Sequence, residues 1–400
     1  MRRAAAAVAI GCGIAGAAAF LVAAYFAREV VVPKRQRREG LEIRRVFHDA
    51  DETLMVELPA SARTMAPGRY SIWFSNGTGH ACIGAIVSTD AGAGTVTRLV
   101  ERVDSGDLQT AKAGIWSGYV YPTPEPLGLP YSDVQIPVEN GMAPTWKFTP
   151  TQVSGDSSTW AIHIHGLGGS KAGALRGVPV ANRLGYTSLV VSLRNDRDAP
   201  ASKDTRYHLG QSEWYDVEAA VSYAVGQGAR QIVLFGWSLG ASIALQLAAS
   251  SEFRDRISGL VLNAPVIDWR STLVANARSS MLPGWVARLG LQMLGSSGTR
   301  WITGLDAPLS FHTLDFLARA DELSVPILVI HNEGDRSTPF AISREFVTRC
   351  PELATLLNFP PAEHTQEWNS DPDGWDAAVE NWLRNGPPRS AALSLRPRGL

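Results

Sequence analysis

Short apolar runs recur through the second half of the chain, and polar or glycine-containing segments separate them. The runs are rich in Val, Ile and Leu, and each has the length of a buried strand. They occupy residues 159–166, 186–194, 231–238, 259–266, 325–333 and 355–360. Strands that are apolar throughout predict a mostly parallel sheet that is covered on both faces.

Helical patterns lie between these strands. Apolar or small residues recur with helical spacing in three stretches, at residues 212–226, 239–250 and 373–384. Alternating strands and helices predict an α/β fold, in which ligands bind at the carboxyl ends of the strands. An insertion over about 271–322 follows the fourth strand. Two interpretations stay open for it: an apolar cap over that edge of the sheet, or a helical excursion packed on the core.

The first part of the chain has a different pattern. Apolar and often alternating stretches at residues 53–58, 69–75, 82–88 and 95–103 are typical of short strands. A proline-rich stretch at 121–130 follows them and suggests a boundary near 125. We therefore predict a small β-rich accessory domain over 41–125 and a larger α/β domain over 126–386. The basic, proline-containing residues 387–400 predict a disordered tail.

Residues 4–27 carry no charged side chain. A run of this length can cross the hydrocarbon core of a bilayer, so residues 1–40 are predicted to form a transmembrane helix and a basic linker. More basic residues follow the run than precede it, which favours a cytoplasmic position for the rest of the chain. The sequence thus predicts a single-pass protein of the cell membrane, with cleavage after Ala24, as in a signal peptide, as the open alternative.

Composition narrows the class of protein. The chain has 400 residues, of which 45% are hydrophobic and 19% charged, as in a folded globular protein. Its formal net charge of -1 argues against nucleic acid as a partner. The three cysteines, Cys12, Cys82 and Cys350, have no spacing that demands a disulfide framework or a structural zinc site.

The stretch Gly236-Trp237-Ser238-Leu239-Gly240 lies where a predicted strand meets a predicted helix. A serine in this position is typical of a nucleophile elbow, a sharp turn that exposes the hydroxyl. Gly236 and Gly240 are needed because side chains there would crowd the turn. Ser238 is therefore our candidate nucleophile.

A serine hydroxyl needs a base to take its proton, and the expected chain order is serine, acid, histidine. Asp335 follows the strand at 325–333, and His364 follows the last strand. We predict that His364 is the general base and that Asp335 orients it. Glu333 and Asp268 are rival acids, since each lies close to the end of a strand.

The oxyanion formed during acyl transfer needs backbone N–H donors. Leu239 lies at the start of the helix after the serine, and Leu167 lies in the turn after the strand at 159–166. We predict that their two N–H groups form the oxyanion hole. His165 and Gly166 would shape the second turn.

These residues together resemble the α/β-hydrolases. The resemblance covers about residues 130–386 and points to the branch with dienelactone hydrolase-like and serine aminopeptidase-like proteins and bacterial lipases and esterases. It implies an eight-stranded, mostly parallel sheet and hydrolysis through an acyl-enzyme. One departure is Glu363, since many relatives have a glycine or small residue before the histidine.

The sequence therefore predicts a membrane-anchored serine hydrolase that uses no cofactor and cleaves a carboxylic ester, with lipid or other apolar acyl esters favoured. Peptidase, amidase and thioesterase activities stay open, as does a catalytically silent protein that binds a partner. A metallohydrolase is a further alternative. His163 and His165 form an HxH pair and His331 is another potential ligand, but no complete ligand set emerges, so no metal is predicted.

Overall fold

The computed structural model describes residues 2–33, 38–151 and 158–386, with the side chains of helix residues 2–15 and 18 left out. The predicted disordered tail at 387–400 lies outside the described residues, as does part of the predicted basic linker.

The N-terminal part contains a long helix and an antiparallel sheet. Its elements are α1 (Arg2–Val31), β1 (Leu41–Glu42), β2 (Arg45–His48), β3 (Leu54–Pro59), β4 (Tyr70–Phe74), β5 (Gly79–Asp90), β6 (Thr95–Ser105) and β7 (Ala113–Ser117). The seven strands form one sheet in the order β1-β7-β4-β5-β6-β3-β2. Val56, Ile72, Phe74 and Val96 are buried in its apolar core. We call this sheet and the loops next to its strands, without α1, the N-terminal sheet domain.

The larger part is built on a second sheet. Its strands are β8 (Tyr131–Val138), β9 (Gly141–Phe148), β10 (Thr159–Ile164), β11 (Thr187–Val191), β12 (Gln231–Trp237), β13 (Ile257–Asn263), β14 (Ile327–Asn332) and β15 (Ala354–Phe359). Its helices are α2 (Val178–Arg183), α3 (Trp214–Gly226), α4 (Leu239–Ser250), α5 (Trp269–Ser279), α6 (Gly284–Leu294), α7 (Arg300–Thr303), α8 (Phe340–Arg349), α9 (Glu367–Ser370) and α10 (Pro372–Asn385). The domain boundary near residue 125 stays a prediction.

The eight strands lie in the order β15-β14-β13-β12-β10-β11-β9-β8. Strands β10 to β15 pair in parallel, and only β8 and β9 run antiparallel to their neighbours. The predicted mostly parallel sheet is therefore confirmed. In this register Ile164 lies beside Gly236, and Trp237 lies beside Asn263. The carboxyl ends of the central strands thus meet at one edge.

Alternate residues of each strand face opposite sides of this sheet. On β12, Leu234 belongs to one buried apolar cluster, whereas Val233 and Phe235 belong to another. The first cluster includes residues of α3 and α4, and the second includes residues of α2 and α10. This period of two explains why the central strands are apolar at almost every position.

The predicted transmembrane helix is wrong. No helix in the described part of the chain has the length and apolar character needed to cross a bilayer. Instead, the second half of α1 packs on the larger domain. Ala23, Ala27 and Val31 are fully buried in its apolar core. The predicted single-pass location in the cell membrane is therefore wrong as well, and the side of the membrane inferred with it loses its basis.

Polar contacts also hold the end of α1 in place. The Arg28 guanidinium donates to the Ile302 carbonyl over 2.8 Å, and the Tyr207 amide donates to the Val31 carbonyl over 2.8 Å. The insertion supplies much of the docking surface, because α6 and α7 both lie against α1. The apolar residues of this insertion differ in burial. Leu291, Met293 and Leu294 are buried, whereas Trp301 is 77% exposed.

Replacing Ala27 by Asp places a carboxylate in the buried face of α1. Because an unpaired buried charge is costly, we expect the free energy of unfolding to fall by about 3 kcal/mol. Tyr25→Asp is the matched control, since Tyr25 lies on the same helix and is 66% exposed. Calorimetry should show a lower melting temperature for Ala27→Asp alone. Equal losses in the two variants would contradict the packing of α1.

Candidate active site

Ser238 lies between the end of β12 and the start of α4, at the carboxyl edge of the sheet. Its backbone angles are φ 55° and ψ -109°, which few residues other than glycine adopt. The Ser238 amide donates to the Asn263 carbonyl over 3.0 Å. A strained turn of this kind is the geometry of a nucleophile elbow.

The two elbow glycines have no room for a side chain. A Cβ atom on Gly236 would come within 2.5 Å of the Ala241 Cα atom. A Cβ atom on Gly240 would overlap the Ile164 carbonyl and come within 2.9 Å of the His165 carbonyl oxygen. These neighbours are backbone atoms of α4 and of the end of β10, so they cannot move aside without distorting those elements.

Two consecutive hydrogen bonds join the three residues predicted to form a triad. The Ser238 Oγ atom is 2.8 Å from His364 Nε2, and His364 Nδ1 is 2.6 Å from Asp335 Oδ2. The Asp335 side chain is fully buried, whereas 25% of the His364 side chain is exposed. In this arrangement the imidazole can accept the serine proton on one nitrogen while the other donates to the carboxylate.

Hydrogen-bond donors surround the Asp335 carboxylate. Its Oδ1 accepts from the Ser337 and Thr338 amides at 2.7 and 3.0 Å. Its Oδ2 also accepts from the Thr338 hydroxyl at 2.8 Å and lies 3.2 Å from His331 Nε2. Burial raises the pKa of Asp335, but hydrogen bonds from His331 and His364 outweigh it and hold the pKa well below its usual range. Asp335 is therefore ionised at neutral pH.

The two rival acids face elsewhere. The Asp268 carboxylate caps α5, accepting from the Arg270 and Ser271 amides at 2.9 and 3.0 Å. Glu333 is exposed, and its carboxylate faces the Asn358 amide group at 3.5 Å. Asp335 is the acidic residue that the structure brings to His364.

The turn predicted to complete the oxyanion hole lies beside Ser238. A Cβ atom on Gly166 would lie 3.3 Å from the Ser238 Cβ atom, so the backbone approaches the serine closely here. Leu167 is the next residue, and Leu239 follows Ser238 at the first position of α4. The positive end of the helix dipole therefore lies at the serine. The role of these two amides stays a prediction.

His165 anchors this turn. Its Nε2 atom lies 2.8 Å from the Asp196 carboxylate, and its Nδ1 atom lies 2.9 Å from the Gly166 carbonyl. Burial disfavours the charged ring, but Asp196 outweighs burial and raises the pKa of His165. Both ring nitrogens make contacts with oxygen atoms, and these two contacts fix the turn next to Ser238.

The two histidines of the HxH pair have different hydrogen-bond partners. His163 is fully buried, lies 3.2 Å from the Ser188 hydroxyl and packs against the Phe235 ring, while His165 binds Asp196. Two other sets among the described residues have ligand atoms close enough for a metal ion: Asp204, His208 and Asp306, and His331, Asp335 and Glu367. The second set shares Asp335 with the candidate triad, and the Asp335 oxygens already accept from protein donors.

Sequence analysis missed the role of three neighbours of the triad. His331 was considered only as a metal ligand, yet it contacts Asp335 and lies 2.8 Å from the Ser343 hydroxyl through its other nitrogen. Thr338 follows Asp335 by three residues, a spacing that favours this local hydrogen bond. Arg176 contacts the residue after His364 from a distant part of the chain, which no sequence signal indicates.

The insertion lies next to the loop that carries Asp335. The Asn276 side chain donates to the Ser337 carbonyl over 3.2 Å, and the Ser279 hydroxyl donates to the Arg336 carbonyl over 3.3 Å. Both residues lie on α5. This helix therefore lies at the carboxyl edge of the sheet, beside the site.

Comparisons with known proteins agree with this architecture. A family model described as the alpha/beta hydrolase family matches residues 161–389, and a model described as a domain of unknown function matches residues 42–117. An esterase of Pyrococcus furiosus aligns with a TM-score of 0.50 and 19% sequence identity over 66% of this chain and 95% of its own. A serine hydrolase of Xanthomonas campestris aligns with a TM-score of 0.46 and 16% identity over 65% of this chain and 97% of its own. No curated protein matches the chain in sequence.

Replacing Gly240 by Ala inserts a methyl group against the backbone of β10. Overpacking of this kind typically costs about 1–3 kcal/mol, so the melting temperature should fall and the elbow should distort. Gly226→Ala is the matched control, because a Cβ atom there meets nothing within 4 Å and the residue ends α3. Calorimetry should show no loss for the control. A Gly240→Ala variant as stable as the control would contradict the close packing at this position.

Proposed function

Because the chain belongs to the alpha/beta hydrolase family of enzymes, as its sequence motifs indicated, we propose that it is a serine hydrolase that cleaves carboxylic esters. Ser238 is the proposed nucleophile, His364 the base and Asp335 the orienting acid. The observation that supports this proposal is the continuous pair of hydrogen bonds, 2.8 Å from Ser238 to His364 and 2.6 Å from His364 to Asp335.

In the proposed first step, His364 Nε2 takes the proton of the Ser238 hydroxyl as Oγ attacks the ester carbonyl carbon. The new C–O bond creates a tetrahedral oxyanion. The ionised Asp335 stabilises the positive imidazole and keeps its Nδ1 proton in place. When the bond to the leaving oxygen breaks, His364 gives its proton to the departing alcohol, and an acyl-enzyme is left on Ser238.

The second step repeats this chemistry with water. His364 takes a proton from water as the water oxygen attacks the acyl carbon. The ester bond to Ser238 then breaks, the proton returns to Oγ, and the carboxylic acid leaves. In both steps the proposed donors to the oxyanion are the Leu239 amide, at the start of α4, and the Leu167 amide. Preorganised donors of this kind lower the barrier because they do not reorient during the reaction.

An ester is the proposed substrate class. The similar Pyrococcus furiosus protein is named an esterase, and we extend that activity to this chain as part of the proposal. The triad itself would also serve thioester or amide hydrolysis, so a substrate panel must include both. With the membrane span overturned, a preference for lipid or other apolar acyl esters rests on the insertion alone.

Ser238→Ala removes the proposed nucleophile without adding volume. We expect this variant to lose both labelling by a fluorophosphonate probe and hydrolysis of short acyl esters such as p-nitrophenyl acetate, because no oxygen remains to be acylated. Gel fluorescence of the labelled protein measures the first, and absorbance measures the second. Ser242→Ala is a control, since Ser242 is a buried serine on α4, the helix that follows Ser238. Undiminished labelling of Ser238→Ala would refute the assignment, and an unlabelled wild type would favour a silent binding protein.

Asp335→Asn replaces the carboxylate with an amide of the same shape. The amide cannot stabilise the imidazolium, and loss of the equivalent acid in a serine protease costs about 10⁴ in kcat. We expect a fall of several orders of magnitude in kcat with little change in KM. Asp268→Asn and Glu333→Gln should each keep most of the activity. Steady-state kinetics measure these effects. If Asp335→Asn keeps its kcat and either of the other two variants loses it, the orienting acid is the residue changed in that variant.

A further inference from the structure

The segment that carries His364, residues 363–370, lies against the N-terminal sheet domain. The Arg69 amide donates to the Asn369 carbonyl over 2.8 Å. A Cβ atom on Gly68 would lie 2.9 Å from the Ser370 carbonyl carbon and would overlap the Asn369 carbonyl oxygen. Gly68 also has a φ of 95°, which side chains rarely adopt. The two domains therefore meet in close backbone contact next to the candidate base.

The Asn369 side chain is the centre of this contact. It is fully buried, and its Nδ2 group donates to the Arg69 carbonyl over 2.7 Å and to the Gly118 carbonyl over 3.0 Å. Its Oδ1 atom accepts from the Arg176 guanidinium. Arg69 and Gly118, whose carbonyls accept from this amide, belong to the N-terminal sheet domain. Arg176, which donates to the amide oxygen, belongs to the larger domain. Asn369 thus joins the two domains through every polar atom of its side chain.

Arg176 carries the connection back to the catalytic residues. Its Nη1 atom also donates to the Thr365 carbonyl over 2.9 Å, and its guanidinium lies 4.2 Å from the centre of the Trp237 ring. Thr365 follows His364, and Trp237 precedes Ser238. Burial lowers the pKa of Arg176 to about 10, so the guanidinium stays charged at neutral pH. One buried cation therefore contacts the residues next to both the base and the nucleophile.

The backbone beside His364 needs such support. Thr365 has a φ of 62°, an unfavourable value for a β-branched residue. Conformations of this kind persist only where the surroundings hold them. The Arg176 contact to the Thr365 carbonyl supplies a hydrogen bond at that point, and Asn369 holds Arg176 in place.

Glu363, the departure from the family pattern, takes part in the same interface. Its carboxylate pairs with the Arg63 guanidinium at 2.6 Å, and both side chains are partly exposed. Arg63 belongs to the N-terminal sheet domain. The acid directly before His364 is therefore held by a cation of the other domain.

We propose that Asn369 is a positioning residue through which the N-terminal sheet domain holds the His364 segment, residues 363–370, in its catalytic conformation. The Arg63–Glu363 ion pair is a second and weaker tie of the same kind. This inference rests on the proposed function, in which His364 is the base. It assigns the N-terminal sheet domain an indirect part in catalysis, because that domain supplies no residue to the triad.

Asn369→Asp in the full chain tests the proposal. Aspartate keeps an oxygen for Arg176 but loses both N–H donors to the N-terminal domain. We expect the second-order rate of fluorophosphonate labelling of Ser238, and kcat, to fall about tenfold or more, since small displacements of a catalytic group are costly. KM should stay within about twofold. Hydrogen exchange of the amides in 363–370 should become faster.

Arg63→Ala is the second variant, and its exposed site makes it safe for folding. A surface ion pair is weak, so we expect a fall of about twofold to fivefold in the labelling rate. The exchanged pair Arg63→Glu with Glu363→Arg should restore the rate. Arg45→Ala is the matched control, because Arg45 is an exposed arginine of the same domain that pairs with Glu57 at 3.4 Å, within its own sheet. It should label and exchange like the wild type.

Two results would overturn the proposal. One is a folded Asn369→Asp protein, judged by circular dichroism, with wild-type labelling and wild-type exchange in 363–370. The other, should that variant not fold, is an Arg63→Ala protein that matches Arg45→Ala in both measurements. The exchange measurement does not depend on catalysis. A wild type that the probe cannot label would therefore count against the proposed function, while exchange in 363–370 still decides whether the N-terminal domain holds this segment.

Discussion

The positive φ of Ser238 is the constraint on which the rest of the site depends. A serine gains nothing from this conformation, whose cost is about 1–3 kcal/mol, so its surroundings must offset it. Three features do so: the hydrogen bond from its amide to Asn263, the side-chain-free Gly236 and Gly240, and the parallel register that aligns β10, β12 and β13. The core residues of these strands thus act on function indirectly, because they hold a strained turn.

A second constraint is electrostatic. Asp335 is a fully buried carboxylate that faces donors from two histidines, one hydroxyl and two amides, and no lysine or arginine in the described part of the chain binds it. Hydrogen bonds from His331 and His364, together with the electrostatic interaction with the same two rings, hold the pKa of this carboxyl low in spite of burial. The second histidine, His331, also reaches Ser343 on α8. The orientation of the acid is therefore tied to a helix that contributes no residue to the triad.

The sequence was informative where the determining interactions are local. A strand, a glycine-flanked serine and a helix lie within a short stretch, and the chain order of Asp335 and His364 follows from the order of the strands. The α1 helix was assigned to a membrane because a run of alanines and other apolar residues suits a bilayer and a protein core alike. The contact of α1 with α6 and α7 is what distinguishes a helix of the protein core from a membrane helix here. Likewise, Arg176 and Asn369 are far apart in the chain, and neither has a local pattern that predicts their contact.

The loop that carries the candidate base needs support, and this need explains why a β-rich domain lies beside it. A loop after the last strand is ordinarily among the more mobile parts of such a fold. Here it carries His364 and a residue with positive φ, so its conformation must be held from outside. The larger domain contacts it through Arg176, and the N-terminal sheet domain contacts it through Arg69 and Gly118. Because Asn369 bonds to both domains at once, separating them would break these hydrogen bonds, each of which contributes about 0.5–1.5 kcal/mol. The order of the candidate base is thus coupled to the docking of the two domains.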